Sequence, residues 1–228
     1  PLGGIRGAAQ LLAQEISDDE LKDYTQVIIE EADRLRNLVD RLVGSRKPPE
    51  LKEINIHEVL ERVRNLIAAE TLGKGIKLYC DYDPSLPAVL ADSEKMIQAL
   101  LNLLRNSLQA LTSPKIDHQL GEIILRTRIS RNITIASKFY KLAVAIEIVD
   151  NGPGIPQEIS ETIFYPMISG RPDGSGLGLP ISHGIVTQHG GMIECDSKPG
   201  ETKFTVTMPI KRNSKFSTSK VQQVNELK

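Results

Sequence analysis

Asp150-Asn151-Gly152-Pro153-Gly154-Ile155 places a carboxylate beside flexible backbone at the point where an apolar stretch stops. Gly152 and Gly154 admit backbone angles closed to other residues and let a flat ring approach the main chain, while Pro153 stiffens the turn. A carboxylate held there accepts a hydrogen bond from an exocyclic amine such as that of adenine. On the hexapeptide alone, an ordinary turn with a helix-capping Asp competes with that account. A second cluster, Gly174-Ser175-Gly176-Leu177-Gly178-Leu179, precedes Pro180-Ile181-Ser182, where Pro suits the first position of a helix. Free N–H groups and the positive dipole end of a helix favour phosphate, and glycines let it come close. No Lys-Ser/Thr follows to make a P-loop, and Leu179 stands where a dinucleotide fingerprint needs its third glycine.

A third group is carried by a helix expected from about Ser93 to Leu111, capped by Asp92 or Ser93. Met96, Ile97, Leu100, Leu101, Leu104, Leu108 and Leu111 form its apolar face, while Gln98, Asn102 and Asn106 recur every four residues on a polar stripe. Two carboxamides one turn apart offer hard oxygens to Mg²⁺, an ion that keeps several waters and binds through few protein ligands plus substrate phosphates. A solvated helix face is the bland alternative.

The elements that must position these groups follow from pattern. Leu142 to Val149 is an almost unbroken apolar run, a strand covered on at least one face. Further strands are expected at Ile76–Tyr82, Gly121–Arg128, Asn132–Ala136, Met192–Asp196 and Lys203–Met208, with a hairpin insertion around Ser137. Helices are expected at about Ile54–Leu72, after a short extended piece, and at Pro180–His189. Strands mixed with three helices predict an α/β sandwich, its helices on one face of a mostly antiparallel sheet. Ahead of it, Leu2, Ile5, Ala9, Leu12 and Ile16, then Ile28, Ala32, Leu35, Val39 and Leu42, form coiled-coil-like seams. Ser17 and Glu20 give a capping box between the two helices. Pairing of two copies into a four-helix bundle would bury such seams; packing of the hairpin onto its own globular domain is the alternative. The overall class is therefore α+β: a hairpin over 1–44, a linker over 45–53 in a stretch opened by Gly44 to Pro49, a nucleotide-binding domain over 54–212 and a polar tail over 213–228.

At 228 residues there is room for one good core plus a helical appendage. A formal charge of −1 gives no electrostatic argument for nucleic acid or an anionic membrane. Cys80 and Cys195 are isolated, so neither a zinc knuckle nor a disulfide framework is expected, and a reducing cytoplasm is the default. No apolar run approaches membrane-span length.

Asn102–Asn106, Asp150–Ile155, Phe164-Tyr165-Pro166 and Gly174–Leu179 resemble, in order, the asparagine, first glycine, phenylalanine and second glycine boxes of sensor histidine kinases. The opening from Pro1 to Leu12, with Asp81 to Pro87, is similar to the nitrogen-regulation branch of that family. The resemblance covers Pro1 to about Lys211. It implies ATP and Mg²⁺ as cofactors, with Asn106 on the metal and Asn102 at the phosphates. Asp150 would read adenine, while Gly152, Gly154, Gly174, Gly176 and Gly178 would shape the pocket. Thr202 matches a family threonine near the adenine-binding Asp, though a plain strand-start Thr reads the same. Tyr165–Asp173 would be a lid whose Arg171 pairs with a terminal phosphate, or is simply an exposed loop Arg.

The resemblance also implies a homodimer, a response regulator receiver domain as phosphate acceptor, a PII-type signal protein as regulator, and phosphatase activity toward the regulator in the intact protein. In the family the phosphate acceptor is the histidine of a His-Glu-x-x-Asn-Pro-Leu sequence, which this chain carries only from its Pro. His57, His118, His183 and His189 do not replace it and are expected as surface or capping residues. This stretch is therefore expected to bind ATP without phosphorylating itself, the acceptor and sensor region lying upstream. Gln109 stands where many relatives carry Lys. Two rivals remain: a gyrase- or chaperone-type ATPase, which needs a carboxylate where Asn102 stands, and an ATP-binding dimerisation or regulatory module without kinase activity.

Overall fold

A computed structural model describes residues 2–16, 18–43, 48–71, 74–112, 121–170 and 174–210. They fall into two compact units, Pro1–Pro48 with Pro156–Gly184, and Pro49–Ile155 with Ile185–Lys228.

In the first unit, α1 (Leu2–Glu15) and α2 (Asp19–Val43) form the expected antiparallel hairpin. Ser17 of the expected capping box lies outside the described residues. The observed cap is Asp18, whose carboxylate accepts the Glu20 N–H at 2.9 Å and whose carbonyl accepts the Lys22 N–H. Of the seam residues whose side chains are described, only Ala9 and Ala32 are buried, and Arg6 bridges to Asp33 at 3.1 Å. Ile5, Leu12, Ile28 and Leu35 each remain about half exposed, so one hairpin buries little of its own stripe. The side chains of Val39 and Leu42 lie outside the described residues. A single turn, α5 (Gln157–Ser160), and the first turns of α6 (Gly178–Gln188) also belong here.

The second unit is built on a five-stranded sheet in the order β2-β4-β5-β7-β6, from β2 (Ile76–Asp81), β4 (Gly121–Ile135), β5 (Lys138–Asp150), β6 (Met192–Lys198) and β7 (Glu201–Pro209). Only the β2–β4 pair is parallel. The apolar run that ends at Asp150 is the central strand, as expected of a sequence with little polar alternation. The two strands expected at Gly121–Arg128 and Asn132–Ala136 are one continuous strand: Asn132 adopts φ 53° without breaking the register, and Ala136-Ser137 make the turn, both at positive φ.

One face of the sheet carries Ile123, Leu125, Ile146, Ile148, Phe204 and Val206, all buried. Against it lie α3 (Ile56–Thr71) and α4 (Ser93–Leu111), which bury Leu60, Val63, Ile67, Leu100, Leu103 and Leu104. The opposite face carries an ion-pair row, in which Arg126 pairs with Asp81 and Glu147, and Arg128 with Asp81. A small second sheet joins β1 (Lys52–Ile54) to β3 (Val89–Ala91).

α4 is fixed at its start by Asp92. One carboxylate oxygen accepts the Lys95 N–H at 3.2 Å, the other the Glu50 N–H at 3.0 Å, and the Asp92 N–H donates to His189 Nε2 at 3.0 Å. His189 in turn lies 2.7 Å through Nδ1 from the Ile185 carbonyl and is 3% exposed. It is a buried brace rather than a surface residue: a ring that accepts at Nε2 donates from Nδ1. Burial works to raise the Asp92 carboxyl, but the backbone N–H groups around it prevail and hold it below the ordinary carboxylate range. A folded pKa below the unfolded value stabilises above that value and is lost as pH falls through the folded one. Replacing Asp92 with Ala should therefore cost about 1–2 kcal/mol at neutral pH. In thermal melts the gap between parent and variant should stay constant down to about pH 4 and close below it.

Candidate nucleotide site

The site is best built outward from Asp150, which ends β5 on the helix-covered face and is 2% exposed. Its Oδ1 accepts the Gly152 N–H at 3.0 Å, and the same oxygen lies 2.7 Å from where a Gly152 Cβ would sit. No larger residue fits there without moving the carboxylate. On the other side, that Cβ would lie 3.4 Å from Ala110 Cβ and 3.7 Å from Leu111 on α4, so the helix and the end of β5 converge on Gly152. The Gly152 carbonyl accepts the Gly200 N–H at 2.9 Å, and Gly154, at φ 85°, brings its Cα against the Lys198 backbone at 2.9 Å from the would-be Cβ. The first glycine box is thus tied down at both glycines by the β6–β7 turn.

Thr202 is not ahead of its strand, as expected, but inside β7, paired with Asp150 across one ladder and with Ser197 across the other. It is buried, and its hydroxyl lies 3.0 Å from Ser197 Oγ, which accepts the Ile155 N–H at 2.8 Å. Asn151 closes the opposite side by exchanging bonds with Glu122: its Oδ1 accepts the Glu122 N–H at 2.7 Å, and its own N–H donates to the Glu122 carbonyl at 3.2 Å. Asn151 and Ser197 were not singled out by sequence, because their partners lie 29 and 42 residues away. Beside the carboxylate, burial first and then the charges of Asp150 and Asp196 push the Cys195 thiol up to about 12, so it stays neutral.

Asn102 and Asn106 sit half-exposed on α4, one turn apart, with exposed Gln98 and Gln109 near the same stripe. Between them Arg105 turns away to Glu70 on α3, at 2.7 Å. The described residues contain no group of three or more His, Cys, Asp or Glu able to hold a metal. A magnesium ion here would draw mainly on phosphate and water oxygens, and one amide oxygen from Asn106 fits that demand.

The second glycine cluster is described within the first unit. Gly176 has φ 64°, and a Cβ on it would fall 2.7 Å from the Met167 carbonyl carbon. Met167 itself has φ 66°, and its N–H donates to the Gly176 carbonyl at 3.1 Å, so the loop is pinched shut at its base. Two residues on, α6 opens at Gly178, whose carbonyl accepts the Ser182 hydroxyl; Pro180 stands in the first turn rather than opening it. Phe164 lies against the His183 ring with centroids 5.5 Å apart, and that histidine is exposed, as expected. Tyr165 and Met167 are exposed, and Gly174 is exposed at the far end. Arg171, with Pro172 and Asp173, lies outside the described residues, as does His118. His57 stacks on Tyr82 and meets Thr127 at 3.0 Å, a structural contact.

Comparison with known proteins gives the family. Residues 91–212 match the family described as histidine kinase-, DNA gyrase B- and HSP90-like ATPase, and residues 1–46 match the His kinase A phospho-acceptor domain. The chain is 50% identical over 212 residues to the sensory histidine kinase/phosphatase NtrB of Vibrio alginolyticus, covering 93% of this chain and 59% of that protein. It is 38% identical to the NtrB of Rhodobacter capsulatus, over 92% and 58%. The chain thus spans less than two thirds of the length of these relatives.

Among solved structures, full-length ShkA in complex with AMPPNP superposes with a TM-score of 0.62 at 25% identity, over 92% of this chain and 43% of that one. Histidine kinase ThkA in complex with the response regulator TrrA gives 0.59 at 25%, over 92% and 58%. Residues 91–212 make up more than half of this chain, which therefore belongs to the family of histidine kinase-, DNA gyrase B- and HSP90-like ATPases.

Proposed function

We propose that this chain is the ATP-binding catalytic part of a nitrogen-regulating sensor histidine kinase, which in its intact form passes the terminal phosphoryl group of ATP to a histidine and then to a response regulator. The observation that carries this is the row of buried Asp150, buried Thr202 and half-buried Ser197, closed by Gly152 beneath the helix that bears Asn102 and Asn106. Asp150 accepts the adenine amine, Thr202 and Ser197 hold the wall beside it, and Gly152 and Gly154 leave room for the ring. Asn106 offers its amide oxygen to Mg²⁺, and Asn102 its amide to the phosphates. Arg171 and the backbone of Gly174, Gly176 and Gly178 neutralise and cradle the phosphate end. The metal supplies charge neutralisation when bound; the chain's part is positioning.

Asn102 also weighs against a hydrolytic ATPase, since an amide cannot take a proton from water. The named activities of the NtrB relatives support kinase and phosphatase action, and the ThkA–TrrA complex supports a receiver-domain partner. The half-exposed stripe of Ile5, Leu12, Ile28 and Leu35 supports a homodimer through the hairpin, a greasy seam that a second copy covers. A PII-type regulator and a cytoplasmic location complete the proposal; no helix among the described residues is long and apolar enough to cross a membrane.

Calorimetric titration with AMPPNP tests it. Saturable binding that tightens when Mg²⁺ is added is the expected result. Absence of binding, in a chain whose melt is cooperative, would leave a dimerisation or regulatory module without kinase activity.

A further inference from the structure

Arg105 is the single cation of α4 beyond its first turn, and it stands three residues after Asn102 and one before Asn106. Residues three apart on a helix have Cβ atoms about 5–6 Å from one another, so the base of the Arg105 side chain borders the stripe that carries Asn102. Gln98, Asn102, Asn106 and Gln109 around it are all uncharged amides. A triphosphate brings more negative charge than one Mg²⁺ offsets, and on this helix only Arg105 can meet the remainder.

The guanidinium lies on Glu70, in the last turn of α3. Its Nε and Nη2 both donate to one oxygen, Glu70 Oε1, at 3.0 and 2.7 Å. That is not the parallel fork in which two N–H groups meet two oxygens and the pairing is strongest. The two side chains are 47% and 35% exposed, and an ion pair this open to water contributes little to stability. The two helices pack on one another and bury Leu60, Val63, Ile67, Leu100, Leu103 and Leu104, so the fold does not depend on the bridge.

We infer that Arg105 is a further phosphate-binding residue, and that Glu70 competes with the nucleotide for its guanidinium. This rests on the proposed ATP site and adds a charged side chain to the neutral amides of α4. The exchange is between like partners, since the same N–H donors pass from carboxylate oxygens to phosphate oxygens. Its direction follows from what is given up and what is gained: a one-oxygen contact in water against a doubly accepting phosphate edge of higher charge.

The experiment titrates the parent, Arg105→Gln, Arg105→Lys and Glu70→Gln with AMPPNP plus Mg²⁺ and, separately, with adenosine. Arg105→Gln should bind AMPPNP roughly 10-fold more weakly, the low end of what a hydrogen bond to a charged group carries, because the guanidinium stays open to water. Arg105→Lys, which keeps the charge and loses the fork, should fall between that variant and the parent. Glu70→Gln should bind AMPPNP more tightly, by up to about 5-fold, the worth of an exposed ion pair. Adenosine should bind all four proteins alike. Opposite signs at the two ends of one ion pair are what a mere tie between helices cannot give, because a tie is lost equally from either side. Unchanged AMPPNP affinity in Arg105→Gln, or a Glu70→Gln that weakens in step with it, would overturn the inference and leave the ATP site standing. So would an equal loss of adenosine, the mark of a disturbed fold. A parent that binds neither ligand would overturn the nucleotide site and this inference with it.

Discussion

Replacing Asp150 with Ala is expected to weaken binding of an ATP analogue by roughly 10- to 150-fold, the factor carried by one hydrogen bond to a charged group. The carboxylate is buried at the end of the central strand and already accepts the Gly152 N–H through Oδ1. Alanine removes the base acceptor and that intraloop bond together, so a loss of affinity alone would not separate recognition from damage. Asp150→Asn does separate them. The amide keeps an oxygen for Gly152 and nearly the same shape, while turning one acceptor into a donor.

Adenine presents an amine at position 6 and an acceptor at position 1; hypoxanthine presents a carbonyl and an N–H. The parent should therefore prefer ATP to ITP, and Asp150→Asn should narrow or reverse that preference with little change in melting temperature. Equal ATP affinity in parent and Asp150→Asn, or an unchanged ATP-to-ITP ratio, would remove Asp150 from the base site.

The chemistry-bearing residues that sequence exposed are those whose geometry is local. Asn102 and Asn106 share a face because a helix repeats every 3.6 residues, and Asp150 marks a strand end because the apolar run stops there. Gly152 and Gly154 stand out because few other residues permit such turns. What stayed hidden depends on pairing across the fold. The apolar pattern starts the strand at Lys203, just after Thr202, and only the β5–β7 register shows Thr202 opposite Asp150.

Ser197 and Asn151 look like ordinary polar residues until their partners 42 and 29 positions away are known. The β1–β3 pair is three residues on each side, too short for any periodic signal. His189 looked like a turn-flanking surface residue because it precedes Gly190-Gly191; its burial follows from Asp92, 97 positions earlier, donating to it.

Asn106→Ala should abolish the part of nucleotide affinity that depends on Mg²⁺. Without a cluster of carboxylates among the described residues, the protein's own grip on a metal here comes down to amide oxygens, so one side chain carries most of it. Loss of even an indirect metal partner costs 10- to 100-fold, and a direct oxygen ligand should cost roughly 100-fold. The discriminating measurement is a pair of AMPPNP titrations, with Mg²⁺ and with EDTA, on the parent, Asn106→Ala and Asn102→Ala. The parent should bind more weakly in EDTA, and Asn106→Ala should give nearly the same weak affinity in both buffers.

Asn102→Ala should keep its response to Mg²⁺ while losing affinity in both buffers, because its amide is assigned to phosphate rather than to the metal. Adenosine, which brings no phosphate, should bind all three proteins alike, because the base end at Asp150 lies away from the stripe that carries the two asparagines. If Asn106→Ala still tightens on Mg²⁺ by the parent's factor, the metal is held elsewhere. The two asparagines would then be a solvated helix face, the alternative that their spacing alone could not dismiss.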